Sequence, residues 1–554
     1  MESHDHTLLN FGPVLSSAVK EVFQKLYLLS WLYTALASLV LYACVYRWVL
    51  HRAFKGPKLW PVIGCTLEVA ANRRRMHDWV TEYCQLYYPT WKMRLPHVDI
   101  VTSVDPANVE YVLKTNFSNY VKGESQHAIL CDTLGDGIFT SDGDLWRRQR
   151  KVASYEFASK NLREYSCENF RVHAVSLCKI LDQAEKDHKP VDMMNLALRL
   201  SLESICKLGF GVDMGSLDPS LPETPFDKSF DGVNRVLADR FVDPFWKLKR
   251  FFGLGSEAAM KRYVKEVNSF SQNLVLTRKA ELETTQQAKP DLLSRFVGSV
   301  DSEPFTSNPL KDLQDVVTNF LIAGRDTTAS ALMWTLYAIS SHPQVEEKVI
   351  RELRLLEAAE NSKQTAGGAH DTAESSDTLP ERSFTDFVQL LDYDTVNQKM
   401  HYLHAAISEA MRLYSSIPAD VRVAVKDDVL PACGTSIRAG DMFQYSAYSQ
   451  GRTEQVWGQD CLEYKPERWL KDGVHQQESQ FKYPVFHGGP RLCLGKDSAL
   501  LHLKITLGTL LRFFKLKLVP GHKVAYQVSL TLQMSDDGLK MTVQKRSRET
   551  SESD

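Results

Sequence analysis

From Leu26 to Tyr46 the chain reads LYLLSWLYTALASLVLYACVY, with no charged side chain and only serine and threonine as non-aromatic polar residues. Such a run has few structural outlets. At about 1.5 Å per residue a helix of this length reaches roughly 30 Å, enough to cross a bilayer core. A buried core helix is the competing reading. A cleaved signal peptide would carry a shorter apolar region and a small-residue cleavage site, which the sequence does not show. Lys20 and Lys25 are the only bases before the run, whereas Arg47, Arg52, Lys55, Lys58 and Arg73, Arg74 and Arg75 follow it. The positive-inside rule then puts everything beyond Tyr46 on the cytoplasmic side. The expected layout is a lumenal segment 1–25, an anchor 26–46 and a basic, proline-containing hinge 47–64. A body of 65–545 and a disordered tail 546–554 complete it.

The rest is ordinary in bulk and informative in detail. Apolar residues make up 44% and charged residues 24% of the 554, and the formal net charge is −2. That balance favours neither disorder nor a many-pass membrane protein, and gives no global attraction to nucleic acid. The ten cysteines form no CxxC pair, as suits a reducing compartment. Helical spacing dominates 144–170, 190–210, 256–285, 310–341, 344–359 and 398–414; short strands are expected at 98–103, 420–425 and within 526–544. The polar stretch 360–383 reads as a flexible surface loop. The fold class is therefore mainly α with small β-sheets, preceded by one transmembrane helix.

Near the C-terminus stands FHGGPRLCLG, in which Phe486, Gly489, Arg491, Cys493 and Gly495 fall in the pattern F-x-x-G-x-R-x-C-x-G. AGRDTT, Ala323 to Thr328, lies inside a long helical pattern. EAMR sets Glu409 and Arg412 at i and i+3, YKPERW supplies Arg468, and WRRQR sets Trp146 and Arg150 one turn apart. These motifs resemble those of the cytochrome P-450 haem-thiolate monooxygenases, over nearly the whole body. The resemblance implies the P-450 fold and haem b with an axial cysteine thiolate from Cys493. Phe486 and Gly495 would frame the cysteine loop, and Trp146, Arg150 and Arg491 would hold the haem propionates. The dipole and free N–H groups of a helix opening at Gly495 would favour the thiolate. A thiolate trans to dioxygen favours O–O cleavage.

The resemblance gives AGRDTT a role in oxygen activation: a small-residue pair opens a groove for dioxygen, and Asp326 and Thr327 relay protons. Read alone, a Thr bonded back to its own helix is the commoner outcome. Glu409, Arg412 and Arg468 would form a structural network. Arg147, Arg148 and Lys151 would present a basic face to an electron donor, NADPH–cytochrome P-450 reductase; a merely solvated helix is the alternative. GLGSEA, Gly253 to Ala258, imitates a dinucleotide fingerprint. It follows WKLKRFF rather than a strand, so a turn with Ser256 capping a helix is expected.

LGDGIFTSDGDLWRRQRKVASYEF, DPFWKLKRFFGLGSEAAMKR, PERWLKDG and GPRLCLGKDSA resemble the plant long-chain fatty-acid ω-hydroxylases of the clan-86 type. Three departures stand out: Ser415 in place of a proline, His487–Gly488 inside the loop, and Ala432–Cys433 expanding a turn. The implied reaction uses O2 and NADPH-derived electrons to hydroxylate a long-chain fatty acid at its terminal carbon, on the endoplasmic reticulum membrane. Phe320, Ala323, Ile417 and Pro418 are candidate substrate-lining residues, with ordinary core packing as the alternative. In-chain attack, another lipid or small hydrophobic substrate, a non-oxygenating haem-thiolate isomerase of oxidised lipids, and a haem sensor remain as rivals.

Overall fold

The computed structural model describes residues 12–546 except 97, 158, 219–224, 244, 286–290 and 368–382. The segment 1–11, most of the 360–383 stretch and the tail beyond 546 lie outside the described residues. A helix runs from Gly12 to Ala53, well past both ends of the expected anchor. Gln24–Val45 within it is long and apolar enough to cross a membrane, and none of it is buried against the protein. Arg47 and Arg52 are thus helical, and the hinge shrinks to 54–64, where Gly64 adopts φ +59° under the Arg94 carbonyl.

The body is mostly helical. At its centre the helix Pro309–Ser340 is capped by Asn308, with Pro309 at its first position, where a missing N–H costs nothing. It is buried on nearly all sides, packing on Met193–Phe210, Ser256–Thr285 and His401–Leu413. Its C-terminal half joins the largest apolar cluster with Lys496–Phe513, and its N-terminal half joins a second with Pro225–Val242. Gly324 makes a close approach: a Cβ there would sit 2.6 Å from the Ile205 side chain on the crossing helix.

A five-stranded sheet flanks the helices in the order Thr90–Leu95, Val98–Ser103, Met442–Tyr445, Asp420–Ala424, Tyr120–Val121. Only the second and third strands pair in parallel. A three-stranded sheet joins Phe514–Leu518, Lys540–Lys545 and Val191–Asp192, and Tyr526–Gln527 pairs with Gln533–Met534 in a hairpin. The expected helix at 144–170 is two, Gly143–Phe157 and Lys160–Lys186. Ser159 caps the second by accepting from the Leu162 N–H. The helix Pro343–Gly367 continues into the stretch expected to be loop from residue 360. GLGSEA is the expected turn, with Gly253 in the left-handed region ending Trp246–Phe252, and Ser256 opening the next helix.

Candidate active site

Cys493 sits on the loop between Phe486 and Lys496–Phe513, its N–H donating to the Phe486 carbonyl at 2.9 Å. Gly489 is required there: at φ +63° a Cβ would lie 2.0 Å from the Leu113 carbonyl oxygen. Phe486 packs against the main core, and Gly495 stands at the N-cap of the helix. Burial pushes the Cys493 thiol up, against the pull of the Gly495 N–H and the positive field of Arg150. The helix terminus therefore lowers the thiol as expected but does not outweigh desolvation. Cys493 would be held as thiolate by coordination to a metal ion, since a coordinating thiol loses its proton.

Trp146 is buried, and the Arg491 guanidinium lies over its indole at 4.4 Å. Arg491 also donates to Asp142 Oδ1 at 2.7 Å and to the Ser141 carbonyl at 2.9 Å, while its Nε is buried without a partner. Burial and the neighbouring Arg422 lower Arg491 to about 10, and the same two causes bring Lys122 to about 8. Arg150 donates through Nη2 to the Leu492 carbonyl at 2.5 Å, one residue before Cys493. Beyond Arg491 lies a polar cluster that motif reading missed. Lys122 Nζ and Arg422 Nη1 bond Asp420 at 2.8 and 2.6 Å, and Tyr445 and His487 complete the group.

On the central helix the acid and alcohol of AGRDTT are both engaged. Thr327 Oγ1 donates to the Ala323 carbonyl at 2.5 Å, the back-bonded arrangement. Asp326 is buried and accepts from Arg325 at 2.7 Å and from Asn234 Nδ2 at 2.5 Å, across the helix Pro225–Val242. Burial raises its carboxyl to about 6, against the pull of Arg325. Gly324 packs against the Ile205 side chain on the crossing helix.

Glu409, Arg412 and Arg468 come together. Arg412 makes a two-point contact with Glu409 at 2.7 and 2.8 Å, and Arg468 Nε joins at 3.3 Å. Trp469 Nε1 donates to the same carboxylate at 2.9 Å. Of the lining candidates, Phe320 is partly buried and packs against Phe157 and Phe296, ring centroids 5.8 and 5.6 Å away. The Pro418 carbonyl accepts from Tyr448 N–H at 3.1 Å, and the Ile417 carbonyl from Ser415 Oγ at 2.9 Å. Ser416 Oγ donates to the Thr327 carbonyl at 2.9 Å, which ties this segment to the central helix.

The family model for Cytochrome P450 matches residues 54–368 and 381–539, most of the chain and every motif above. The chain belongs to the cytochrome P450 family. Among its relatives, Cytochrome P450 704B1 of Arabidopsis thaliana is 46% identical over 531 residues, covering 92% of this chain and 99% of that protein. Cytochrome P450 704C1 of Pinus taeda is 41% identical, covering 88% and 92% of the two chains. Cytochrome P450 86B1 of Arabidopsis thaliana is 38% identical, covering 90% and 87%. This P450 is accordingly a monooxygenase that uses O2, haem b with an axial cysteine thiolate and a reductase partner. Its residues fit that cofactor: a half-buried cysteine on a glycine-clamped loop, beside crowded cations whose buried Arg491 Nε and Arg422 Nε lack partners. Two carboxylates at the edge of a macrocycle are what such cations need.

Proposed function

We propose that this P450 hydroxylates long-chain fatty acids at the terminal carbon, with Cys493 as the axial ligand. The match of Cys493 and its loop to the family motif carries the ligand assignment. The resemblance to clan-86-type hydroxylases, supported by the 86B1 and 704B1 relatives, carries the substrate class. Thiolate-bound haem iron supplies dioxygen activation. The chain's own residues do the rest. Trp146, Arg150 and Arg491 would hold the carboxylates at the cofactor's edge, and Arg150 would also add positive charge near Cys493. Asp326 and Thr327 deliver protons once released from Asn234 and the Ala323 carbonyl. A methyl C–H is stronger than a methylene C–H, so terminal attack demands that the chain end be held nearest the iron. Phe320, Ala323, Ile417 and Pro418 are proposed to contribute to that positioning.

The reading also places the body on the cytosolic face of the endoplasmic reticulum membrane, receiving electrons from NADPH–cytochrome P-450 reductase. Besides the anchor, Phe245, Leu248, Phe251, Phe252 and Leu254 are exposed around one short helix that also carries Lys247 and Lys249. Aromatic and aliphatic side chains mixed with lysines suit the plane of a lipid interface. Val242, just before them, packs into the same cluster as Leu59 and Cys65 after the anchor, so both apolar surfaces lie on one side of the body. On the proposed reductase face Arg147 pairs with Asp144 and Arg148 with the Phe305 carbonyl, while Lys151 is exposed.

Turnover of palmitic, oleic and longer acids by membranes co-expressing the reductase, read by mass spectrometry, tests the substrate. Terminally hydroxylated acid appearing only with NADPH is the expected result; in-chain products or none would overturn it. Cys493→Ala should abolish the thiolate-type carbon monoxide spectrum, and survival of that spectrum would refute the ligand assignment.

A further inference from the structure

His487 is an unexpected side chain in an unfavourable place. Its backbone lies at φ +61°, ψ −160°, a region that is essentially reserved for glycine. The loop on either side is clamped: a Cβ at Gly488 would approach Phe481 to 3.0 Å, and Gly489 is pressed under Leu113. Glycine at 487 would satisfy that backbone without strain, so a retained imidazole calls for work done by the ring.

The ring is braced from behind. Nδ1 lies 2.6 Å from the Tyr445 hydroxyl and 3.6 Å from Asp420, and Tyr445 is itself buried. Tyr445 has one proton to give, and its contact with Asp420 is longer, at 3.3 Å. The shorter contact gives the proton to Nδ1, which sets the tautomer with the hydrogen on Nε2. Asp420 is already shared by Lys122 and Arg422, and among the described residues no carboxylate is bonded to the ring's Nε2. A quarter of the His487 side chain remains accessible. Burial disfavours a proton on the ring, and the charges around it are cationic on balance: Lys122, Arg422 and Arg491 stand against Asp420 and the Asp142 paired with Arg491.

A donor nitrogen held by a buried tyrosine, set in a strained turn among excess cations, is a socket for an anion. We propose that His487 binds a carboxylate of the haem through Nε2–H, with Tyr445 as the residue that positions its ring. The inference rests on the haem assignment and is independent of which lipid is oxidised.

Haem transfer from the full-length protein to an excess of apomyoglobin, alongside thermal melting, tests it. His487→Gly should release haem roughly tenfold faster, the size of effect that losing one hydrogen bond to a charged group produces. Its melting point before haem loading should not fall, because the strain is relieved. His487→Gln, which keeps an N–H donor, should recover most of the retention. Tyr445→Phe leaves the loop sequence intact and removes only the bracing hydroxyl, so it should also speed release. Release from His487→Gly within twofold of the parent would overturn the proposal. If that variant takes up no haem, an unchanged rate in Tyr445→Phe would overturn it instead.

Discussion

Glu409 has no exposed surface and is met by Arg412, Arg468, Trp469 and the Lys465 N–H. Arg412 reaches on to the carbonyls of Gly451, Cys461 and Glu463, pinning the segment that leads to the cysteine loop. Removing one partner of such a buried pair strands the other charge, at about 3–5 kcal/mol. Glu409→Ala should therefore give protein that fails to retain haem at ordinary temperature, read as loss of Soret absorbance on expression. Trp469→Phe removes one hydrogen bond and should cost about 1–3 kcal/mol, seen as a lower melting temperature. The two arginines were legible from the EAMR and PERW motifs because spacing and charge announce a pair. Trp469 was not, since an indole beside a motif signals nothing until its N–H is seen to point at a carboxylate. The Asp420 cluster was hidden for a similar reason, its members being drawn from four separate segments.

At the level of elements, the long periodic helices were readable and their ends were not. Ser256–Thr285 and Pro309–Ser340 lie within a residue of expectation because an apolar face repeats along them. The break at Ser159 was missed because apolar spacing carries through it while a single hydroxyl cap divides it. The crossing at Gly324 governs how the central helix meets Met193–Phe210. Gly324→Ala should force the helices apart and cost about 1–3 kcal/mol, the usual scale of overpacking. Adding Ile205→Ala should return part of that loss, and a double variant no more stable than the single would refute the packing role. Asp326→Asn addresses the neighbouring residue: it should slow turnover and raise peroxide release relative to product, since a neutral amide cannot pass the proton on.

For the molecule as a whole, burial sets the response to acid. His77 and His475 are lowered to about 4 and His502 to about 3, in each case chiefly by desolvation. The folded state then holds fewer protons than the unfolded chain between about pH 6.5 and 4. The stability these groups contribute is complete above pH 6.5 and is lost as pH falls through that window, at about 1.4 kcal/mol per pH unit for each group fully engaged. Melting temperature measured across pH 4–7.5 should drop steeply on the acid side. His77→Gln and His475→Gln together should flatten the slope.

The helix Gly12–Ala53 is also far longer than a membrane needs. Its 42 residues extend roughly 60 Å, about twice the hydrocarbon thickness, and the link from 54 to 64 joins it to the body. An enzyme tethered so closely does not search a volume for its electron donor. It searches a surface, and encounter becomes a matter of lateral diffusion and crowding within the lipid. Diluting the membrane with extra lipid should then slow reductase-supported turnover even when the bulk concentrations of both proteins are unchanged, whereas diluting the buffer should not.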